Sequence, residues 1–190
     1  MKILFDLGHP AHVHYFKNLI KLLKKNGNKV FIIAREKDVT HSLLRSYKIP
    51  YLSRGKGSKT LYGKLFYLFK ANLKLYKYSI LFKPDLYISF ASPYAAQIAR
   101  YFNKPHIAFT DTEHAKLGIL SFLPFTDTII TPKTFKGYLG HNHIKFDGYM
   151  ENTYLHPKYF KPDKNILKKL NLSSKERYVV LRLVSWDASH

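Results

Sequence analysis

The first 34 residues decide the fold, because they alternate between strand-like and helix-like patterns: MKILFDLGHPAHVHYFKNLIKLLKKNGNKVFIIA, residues 1–34. Lys2–Leu7 is a short apolar run, which is typical of a buried strand. From Ala11 to Lys25 apolar residues recur at helical spacing, and Pro10 suits the first helical turn, where its missing N–H is not needed. A second apolar run covers Lys29–Ala34. The segment therefore predicts a strand–helix–strand unit.

The same alternation continues to about residue 147. Apolar strands that alternate with helices indicate an α/β fold, a Rossmann-like doubly wound sheet that is mostly parallel and has helices on both faces. Ser53–Lys59 is polar and is predicted as a loop. We predict a short helix ending at Tyr47, strands at Ile49–Leu52, Leu86–Phe90, His106–Phe109, Thr128–Thr131 and Lys145–Asp147, and helices at Thr60–Phe82, Ser92–Phe102 and Glu113–Phe122.

The character of the chain changes at Asn152, where proline-containing, linker-like segments begin. Residues 1–151 are predicted to form one Rossmann-like lobe and residues 152–175 a linker with a short helix at Asn165–Leu172. Residues 176–190 contain a strand-like run, Tyr178–Val184, and a polar loop. We expect them to be the first strand and loop of a second lobe that the chain does not complete.

The chain is strongly basic, with a formal net charge of +20 over 190 residues and no cysteine. Between Val39 and Pro84 there is no acidic residue. Such a field attracts anions, although a lysine-rich composition alone is an alternative explanation. Absence of cysteine excludes disulfides and cysteine-based metal sites. The N-terminus lacks the pattern of a signal peptide and no apolar run is long enough to span a bilayer, so we expect a cytoplasmic protein.

Ligands of doubly wound sheets bind outside the carboxyl ends of the strands, which draws attention to the loops there. After the first strand, Gly8 permits close backbone approach, and His9 and the free N–H groups of the helix face an anionic ligand. His12 is a further candidate ligand contact. The alternative is that His9 caps the helix. His12 and His14 are two residues apart and point to different sides of a helix, so we expect no metal site and no cofactor.

Two further loops at this edge carry reactive side chains. Asp111, Glu113 and His114 follow the fifth strand and are candidates for proton transfer, while helix capping by Asp111 or Thr112 is the alternative. Ser92 is a candidate ligand contact, with capping favoured. In the second lobe, Ser185 and Asp187 suit contact with phosphate or sugar.

Four segments together resemble one protein family: GHPAHVHYFKNLIKLLKKNGNKV (8–30), ISFASPYAAQIA (88–99), KPHIAFTDTEHA (104–115) and YVVLRLVSWDASH (178–190). The chain resembles an uncharacterised archaeal and bacterial GT-B-like family, a domain of unknown function that is similar to MurG-type glycosyltransferases and UDP-N-acetylglucosamine 2-epimerases. The resemblance implies a two-lobed sugar-nucleotide protein of which this chain is the N-terminal, acceptor-side lobe. The missing lobe would hold the nucleotide, so the chain alone is expected to be inactive.

The expected activity is glycosyl transfer, or epimerisation of a UDP-sugar, in cell-surface polysaccharide or glycolipid synthesis. The implied partners are a nucleotide-sugar and a sugar or lipid-linked acceptor. The basic, aromatic helix Thr60–Phe82 suits contact with the anionic inner face of a membrane, or it only covers the sheet. The alternative function is a non-enzymatic basic module for membrane or nucleic acid, but no nucleic-acid-binding signature is present.

Overall fold

A computed structural model describes residues 1–58, 60–163, 165–173, 175–181 and 183. This part of the chain contains a seven-stranded sheet in the order β3-β2-β1-β4-β5-β6-β7, and every neighbouring pair is parallel. The predicted α/β class and parallel, Rossmann-like sheet are confirmed. The strands are β1 (Lys2–Leu7), β2 (Lys29–Glu36), β3 (Leu52–Lys56), β4 (Leu86–Phe90), β5 (His106–Phe109), β6 (Thr128–Pro132) and β7 (His143–Phe146).

Helices cover both faces of the sheet. The helices are α1 (Pro10–Lys25), α2 (Thr40–Ser46), α3 (Leu61–Phe82), α4 (Pro93–Tyr101), α5 (Lys116–Phe122), α6 (Asn152–Leu155) and α7 (Asn165–Lys169), and a 3-10 turn spans Leu123–Phe125. Successive residues of β1 serve opposite faces: Phe5 packs with Phe16 of α1, whereas Leu4 packs with Leu75 of α3 and Ala95 of α4. The strand order reverses its direction between β1 and β4, which is where such sheets bind ligands.

The third strand lies three residues later than predicted, at Leu52–Lys56. The polar sequence of residues 53–56 predicts a loop, but this is an edge strand, where alternation of apolar residues is not required. Ile49 and Tyr51, predicted as strand, pack against the core between α1 and the sheet instead. Register between β2 and β3 shifts after Ala34, because three residues of β3 oppose two of β2.

The fifth helix begins at Lys116, three residues after the predicted start at Glu113. Side-chain hydrogen bonds hold the preceding segment outside the helix. The carboxylate of Glu113 accepts from the backbone N–H of Lys136 at 2.9 Å, and the hydroxyl of Thr110 accepts from the N–H of Thr112 at 3.4 Å. The helix cap is Ala115, which makes no side-chain capping bond. Capping of α5 by Asp111 or Thr112 is therefore wrong.

Beyond residue 151 the described chain has little regular structure. Helix α6 packs on α1, where the side chain of Asn18 donates to the carbonyl of Thr153 at 2.8 Å. Helix α7 ends at Lys169 rather than at the predicted Leu172. Tyr178–Leu181 and Leu183 are not in a strand, because in this structure the run pairs with no neighbouring described segment, and a strand needs such a partner.

Candidate functional site

The carboxyl ends of β1, β4 and β5 lie side by side on one edge of the sheet, because these strands are parallel neighbours. The loops that leave this edge are Gly8–His9, Ala91–Ser92 and Thr110–His114, and we call them together the rim. Aromatic contacts join α1, which follows the first loop, to the end of β4: the ring centroids of His12 and Phe90 are 4.7 Å apart, and those of Tyr15 and Phe90 are 5.3 Å apart. The candidate residues of the three loops therefore share one edge.

Two histidines fix the first loop of the rim. His9 is the N-cap of α1, and its Nδ1 accepts from the N–H of Ala11 at 3.2 Å. His12 lies one turn further, and its Nδ1 accepts from the N–H of Gly8 at 3.1 Å. Burial lowers the pKa of His12 to about 3, and burial, then Lys37, lowers that of His9. Both rings are neutral near pH 7, and these bonds assign the ring proton to Nε2.

A buried ion pair lies beneath this loop. Asp6 of β1 contacts Nε of Arg54 on β3 at 2.9 Å, and both side chains are almost fully buried. The Ser92 hydroxyl donates to the same carboxylate and, as the N-cap of α4, accepts from the N–H of Ala95 at 3.4 Å. Burial raises the pKa of the Asp6 carboxyl, and Arg54 and then Ser92 oppose this effect. Ser92 is therefore used as a buried cap that joins α4 to β1.

Polar contacts continue from Ser92 to His106, at the start of β5, and on to Thr126, which precedes β6. The Ser89 hydroxyl accepts from the N–H of Ser92 at 3.3 Å and lies 2.9 Å from Nε2 of His106. Nδ1 of His106 lies 2.9 Å from the hydroxyl of Thr126, which itself donates to the carbonyl of Phe122. Thr126 must therefore accept from Nδ1–H, and Ser89 must donate to Nε2. Burial lowers the pKa of His106 to about 3.

The loop after β5 carries the exposed carboxylates of the rim. Asp111 accepts from the hydroxyl of Thr112 at 3.0 Å through Oδ1, and Oδ2 makes no hydrogen bond to the described residues. The carboxylate of Glu113 is bound by the backbone of Lys136. His114 is exposed and follows directly. The pKa of Tyr15, in α1, is raised by burial first and then by the negative charge of Asp111, so the Asp111 carboxylate lies near the Tyr15 hydroxyl.

Arg54 is the important residue that the sequence did not single out, since it lies in the segment predicted as a loop. A signal was available: Asp6 lies inside a buried strand, and a buried carboxylate needs a partner. Ser185 and Asp187 lie outside the described residues. In the described part of the chain, no group of three His, Asp or Glu side chains is arranged to hold a metal, and none of the helices is long and apolar enough to cross a bilayer.

Comparison with known proteins gives the family. A family model described as "Protein of unknown function (DUF354)" matches residues 1–190. The chain belongs to this family. A relative, the uncharacterised protein MJ0665 of Methanocaldococcus jannaschii, is 30% identical over an alignment 190 positions long that covers 96% of this chain and 56% of the relative. This DUF354 chain therefore spans about half the length of that relative.

Solved structures show the fold to which the DUF354 chain is similar. MurG of Acinetobacter baumannii matches with a TM-score of 0.58 and 18% identity, covering 72% of this chain and 43% of MurG. The UDP-GlcNAc 2-epimerase of Neisseria meningitidis, bound to UDP-GlcNAc, matches with a TM-score of 0.57 and 16% identity, covering 70% of this chain and 40% of that one. The expected resemblance to a GT-B-like family with MurG and 2-epimerases as structural neighbours is confirmed. At these identities the matches show the fold.

Proposed function

We propose that this DUF354 chain is the acceptor-side lobe of a GT-B-type protein that transfers a sugar from a UDP-sugar or epimerises it. The observation that carries the proposal is the rim: the Gly8 turn and the exposed Asp111 carboxylate lie on one edge of a parallel sheet, beside the point where strand order reverses. This is the position at which doubly wound folds bind nucleotides and sugars. The UDP-GlcNAc-bound 2-epimerase among the structural matches supports the ligand class.

The rim contacts favour different tasks for the candidate catalytic residues. For glycosyl transfer, a base must remove the proton of the acceptor hydroxyl. Asp111 is the best placed base, because Oδ2 has no partner among the described residues. Glu113 accepts a backbone bond, which suits positioning of the loop. Nδ1 of His9 is occupied as a helix cap, so His9 serves as a hydrogen-bond donor through Nε2. His114 remains a second candidate for proton transfer.

The rest of the site belongs to a second lobe in this proposal. Residues 1–151 form the acceptor-side lobe, residues 152–175 the linker, and residues 176–190 begin the second lobe, which completes the nucleotide site opposite the rim. Ser185 and Asp187 then face the rim across the cleft. MJ0665, of which the chain covers 56%, has the length that a second lobe requires. We expect the chain alone to bind ligand weakly and to lack turnover.

The enzyme proposal is tested with the chain extended by its downstream coding sequence. We expect release of UDP from UDP-GlcNAc with an acceptor, or formation of the C2 epimer of the sugar. Asp111→Asn should lower turnover by about a hundredfold, the usual contribution of a general base, while leaving KM for UDP-GlcNAc within about twofold. Asp163→Asn is the matched control, since Asp163 is also exposed and accepts one hydrogen bond. Equal turnover of the two variants would remove Asp111 from the mechanism.

Peripheral contact with an anionic membrane is a further part of the proposal, and it rests on the outward side of α3. The inward side of α3 is buried through Tyr67, Ala71, Leu75 and Ser79. On the outward side large apolar side chains are exposed, with Phe69 70% and Tyr62 86% accessible, and Lys70 and Lys77 lie among them. We define the outer face of α3 by Tyr62, Leu65, Phe66, Phe69, Leu73, Lys70 and Lys77. Apolar and basic residues on one helix face suit an anionic bilayer surface, where a lipid-linked acceptor would be found.

Vesicle flotation tests this contact. The chain should bind vesicles with phosphatidylglycerol, bind phosphatidylcholine vesicles poorly, and lose binding as salt increases. Phe69→Gln should lower binding several-fold, whereas Leu117→Gln, at an apolar residue of α5 that is even more exposed, should not. Equal binding by both variants would exclude α3 as the contact. Salt-sensitive binding to generic DNA that exceeds binding to vesicles would instead support a basic nucleic-acid module.

A further inference from the structure

Arg54 is held in an unusual position by a bulge in the middle of β3. Ala34 of β2 pairs with Ser53, and Arg35 pairs with Gly55, so Arg54 is the extra residue between them. Gly55 has a φ of +92°, in the left-handed region that glycine adopts without strain. Bulges of this kind re-aim a side chain. Here the bulge turns Arg54 inward, where it is only 2% exposed.

The guanidinium of Arg54 has more donors than the described residues satisfy. Nε lies 2.9 Å from Asp6, but neither Nε nor the buried Nη1 has a hydrogen-bond partner of proper geometry in the described part of the chain. The guanidinium carbon lies 4.3 Å from the ring centroid of Tyr94, so the ring covers one face of the group. A buried arginine normally uses its fork of N–H groups in hydrogen bonds. Unused donors therefore point to a partner outside the described residues.

A third nitrogen of Arg54, Nη2, lies against the Gly8 turn of the rim. Nη2 lies 3.3 Å from the position that a Cβ on Gly8 would occupy, and Cε1 of His12 lies 3.7 Å from it. A side chain at Gly8 would press against Nη2, and glycine leaves that space free. A ligand group that rests on the Gly8 turn would thus meet Nη2 of Arg54, beside the neutral ring of His12.

More positive charge surrounds this position. Arg35 and Arg54 both lie near the Tyr67 ring, with guanidinium carbons 5.5 and 5.7 Å from its centroid. Lys37 and Arg35 lower the pKa of His9 after burial, while Asp38 raises it. Asp6 is engaged with Arg54 and Ser92. The field at the Gly8 turn is therefore one that favours an anion.

We propose that Arg54, assisted by Arg35, binds a phosphate or diphosphate group of the ligand on the Gly8 turn. The planar fork of arginine matches phosphate oxygens, and loss of a charge-assisted hydrogen bond costs about tenfold or more in affinity. This anion site deepens the proposed function and rests on it in one respect: the proposed function names the nucleotide-sugar to which the phosphate belongs. The anion site itself requires no sugar and no second lobe.

Calorimetric titration of the 190-residue chain with pyrophosphate, in about physiological salt that screens exposed lysines, tests the inference. We expect saturable binding of pyrophosphate, weaker binding of inorganic phosphate, and none of acetate. Arg54→Gln should weaken pyrophosphate binding by about tenfold or more, and Arg35→Gln by several-fold. Arg100→Gln is the matched control, because it removes the same charge from the exposed C-terminal end of α4. Wild-type affinity in a folded Arg54→Gln variant would overturn the proposal.

Gly8→Ala gives a second test that does not depend on the stability of the ion pair. The added methyl group would contact Nη2 of Arg54, and the backbone of Gly8 is not in the left-handed region, so folding should be preserved. We expect pyrophosphate affinity to fall about tenfold, with Gly118→Ala in α5 unchanged as the control. Unchanged affinity in Gly8→Ala would also overturn the proposal. If pyrophosphate binding depends on Arg54 but UDP-GlcNAc does not bind, the proposed function alone is refuted. If UDP-GlcNAc binds independently of Arg54, this inference alone is refuted.

Discussion

Acid should destabilise the fold through His106, the buried imidazole under α4. Its neutral form is required on both sides: Nδ1 donates to Thr126, and Nε2 accepts from Ser89. Protonation would place an N–H against the Ser89 hydroxyl and a charge in a site that is 0% exposed. Burial accordingly lowers the pKa of His106 from 6.5 to about 3.

The size of the stability loss follows from the difference between the pKa of His106 in the unfolded chain and in the folded chain. Since the pKa is depressed in the folded protein, the stabilisation is fully present above pH 6.5 and is lost as the pH falls toward 3. Between pH 6.5 and pH 5 the imidazole of the unfolded chain is protonated while that of the folded chain stays neutral. This interval of about 1.5 pH units corresponds to about 2 kcal/mol at about 1.36 kcal/mol per unit. His106 should therefore contribute about 2 kcal/mol to the loss of unfolding free energy between pH 7 and pH 5.

Urea unfolding followed by circular dichroism at pH 7 and pH 5 measures this loss. His106→Asn retains a donor toward Thr126 and does not titrate, and every other histidine is common to both proteins. The wild-type chain should lose about 2 kcal/mol more than the variant between the two pH values, whatever the absolute stability of the variant. Equal losses, within the error of extrapolation, would refute the assigned role of His106.

Three further predictions concern the residues that hold the rim. Arg54→Met should lower the free energy of unfolding, measured with urea, by about 3–5 kcal/mol, because it leaves the Asp6 carboxylate buried without its cation. Adding Asp6→Leu should restore most of this loss, and a double variant no more stable than the single one would contradict the prediction. Ser92→Ala should cost about 1–3 kcal/mol, since it removes the α4 cap and a donor to Asp6, and a change below about 0.5 kcal/mol by thermal unfolding would be inconsistent with that role. His9→Asn should keep the thermal stability of the chain because asparagine is a good N-cap, whereas His9→Ala should lower the unfolding free energy by about 1 kcal/mol; identical melting curves would argue against the cap.

The sequence predicted those elements whose local pattern agrees with their surroundings. Lys2–Leu7, Leu86–Phe90 and His106–Phe109 are strands with the predicted bounds, because each is an apolar run between clear turn or charged residues. The third strand was misplaced, since the bulge at Arg54 is stabilised by Asp6, a residue 48 positions earlier in the chain, and not by any local pattern.

The candidate site was predicted only in part. The loops that form the rim follow from the parallel sheet, and the structure places His9, Asp111, Glu113 and His114 on that edge. The hydrogen bond from Gly8 to His12 and the inward aim of Arg54 depend on tertiary geometry, which residue spacing does not determine. The basic, aromatic composition of α3 was evident from the sequence, but which residues pack inward was not: Tyr67, Ala71 and Leu75 are buried, whereas Leu65 and Leu73 are exposed.

Backbone amide NMR of the chain tests most directly whether the rim supplies this lobe's share of the nucleotide-sugar site. Titration with UDP-GlcNAc should shift the amide signals of Gly8, His9 and Asp111, and these shifts should saturate together. Amides at the opposite edge of the sheet, such as Asp85 and Lys104, should remain unchanged. Saturable shifts confined to that opposite edge, or no shifts while the chain remains folded, would contradict the account.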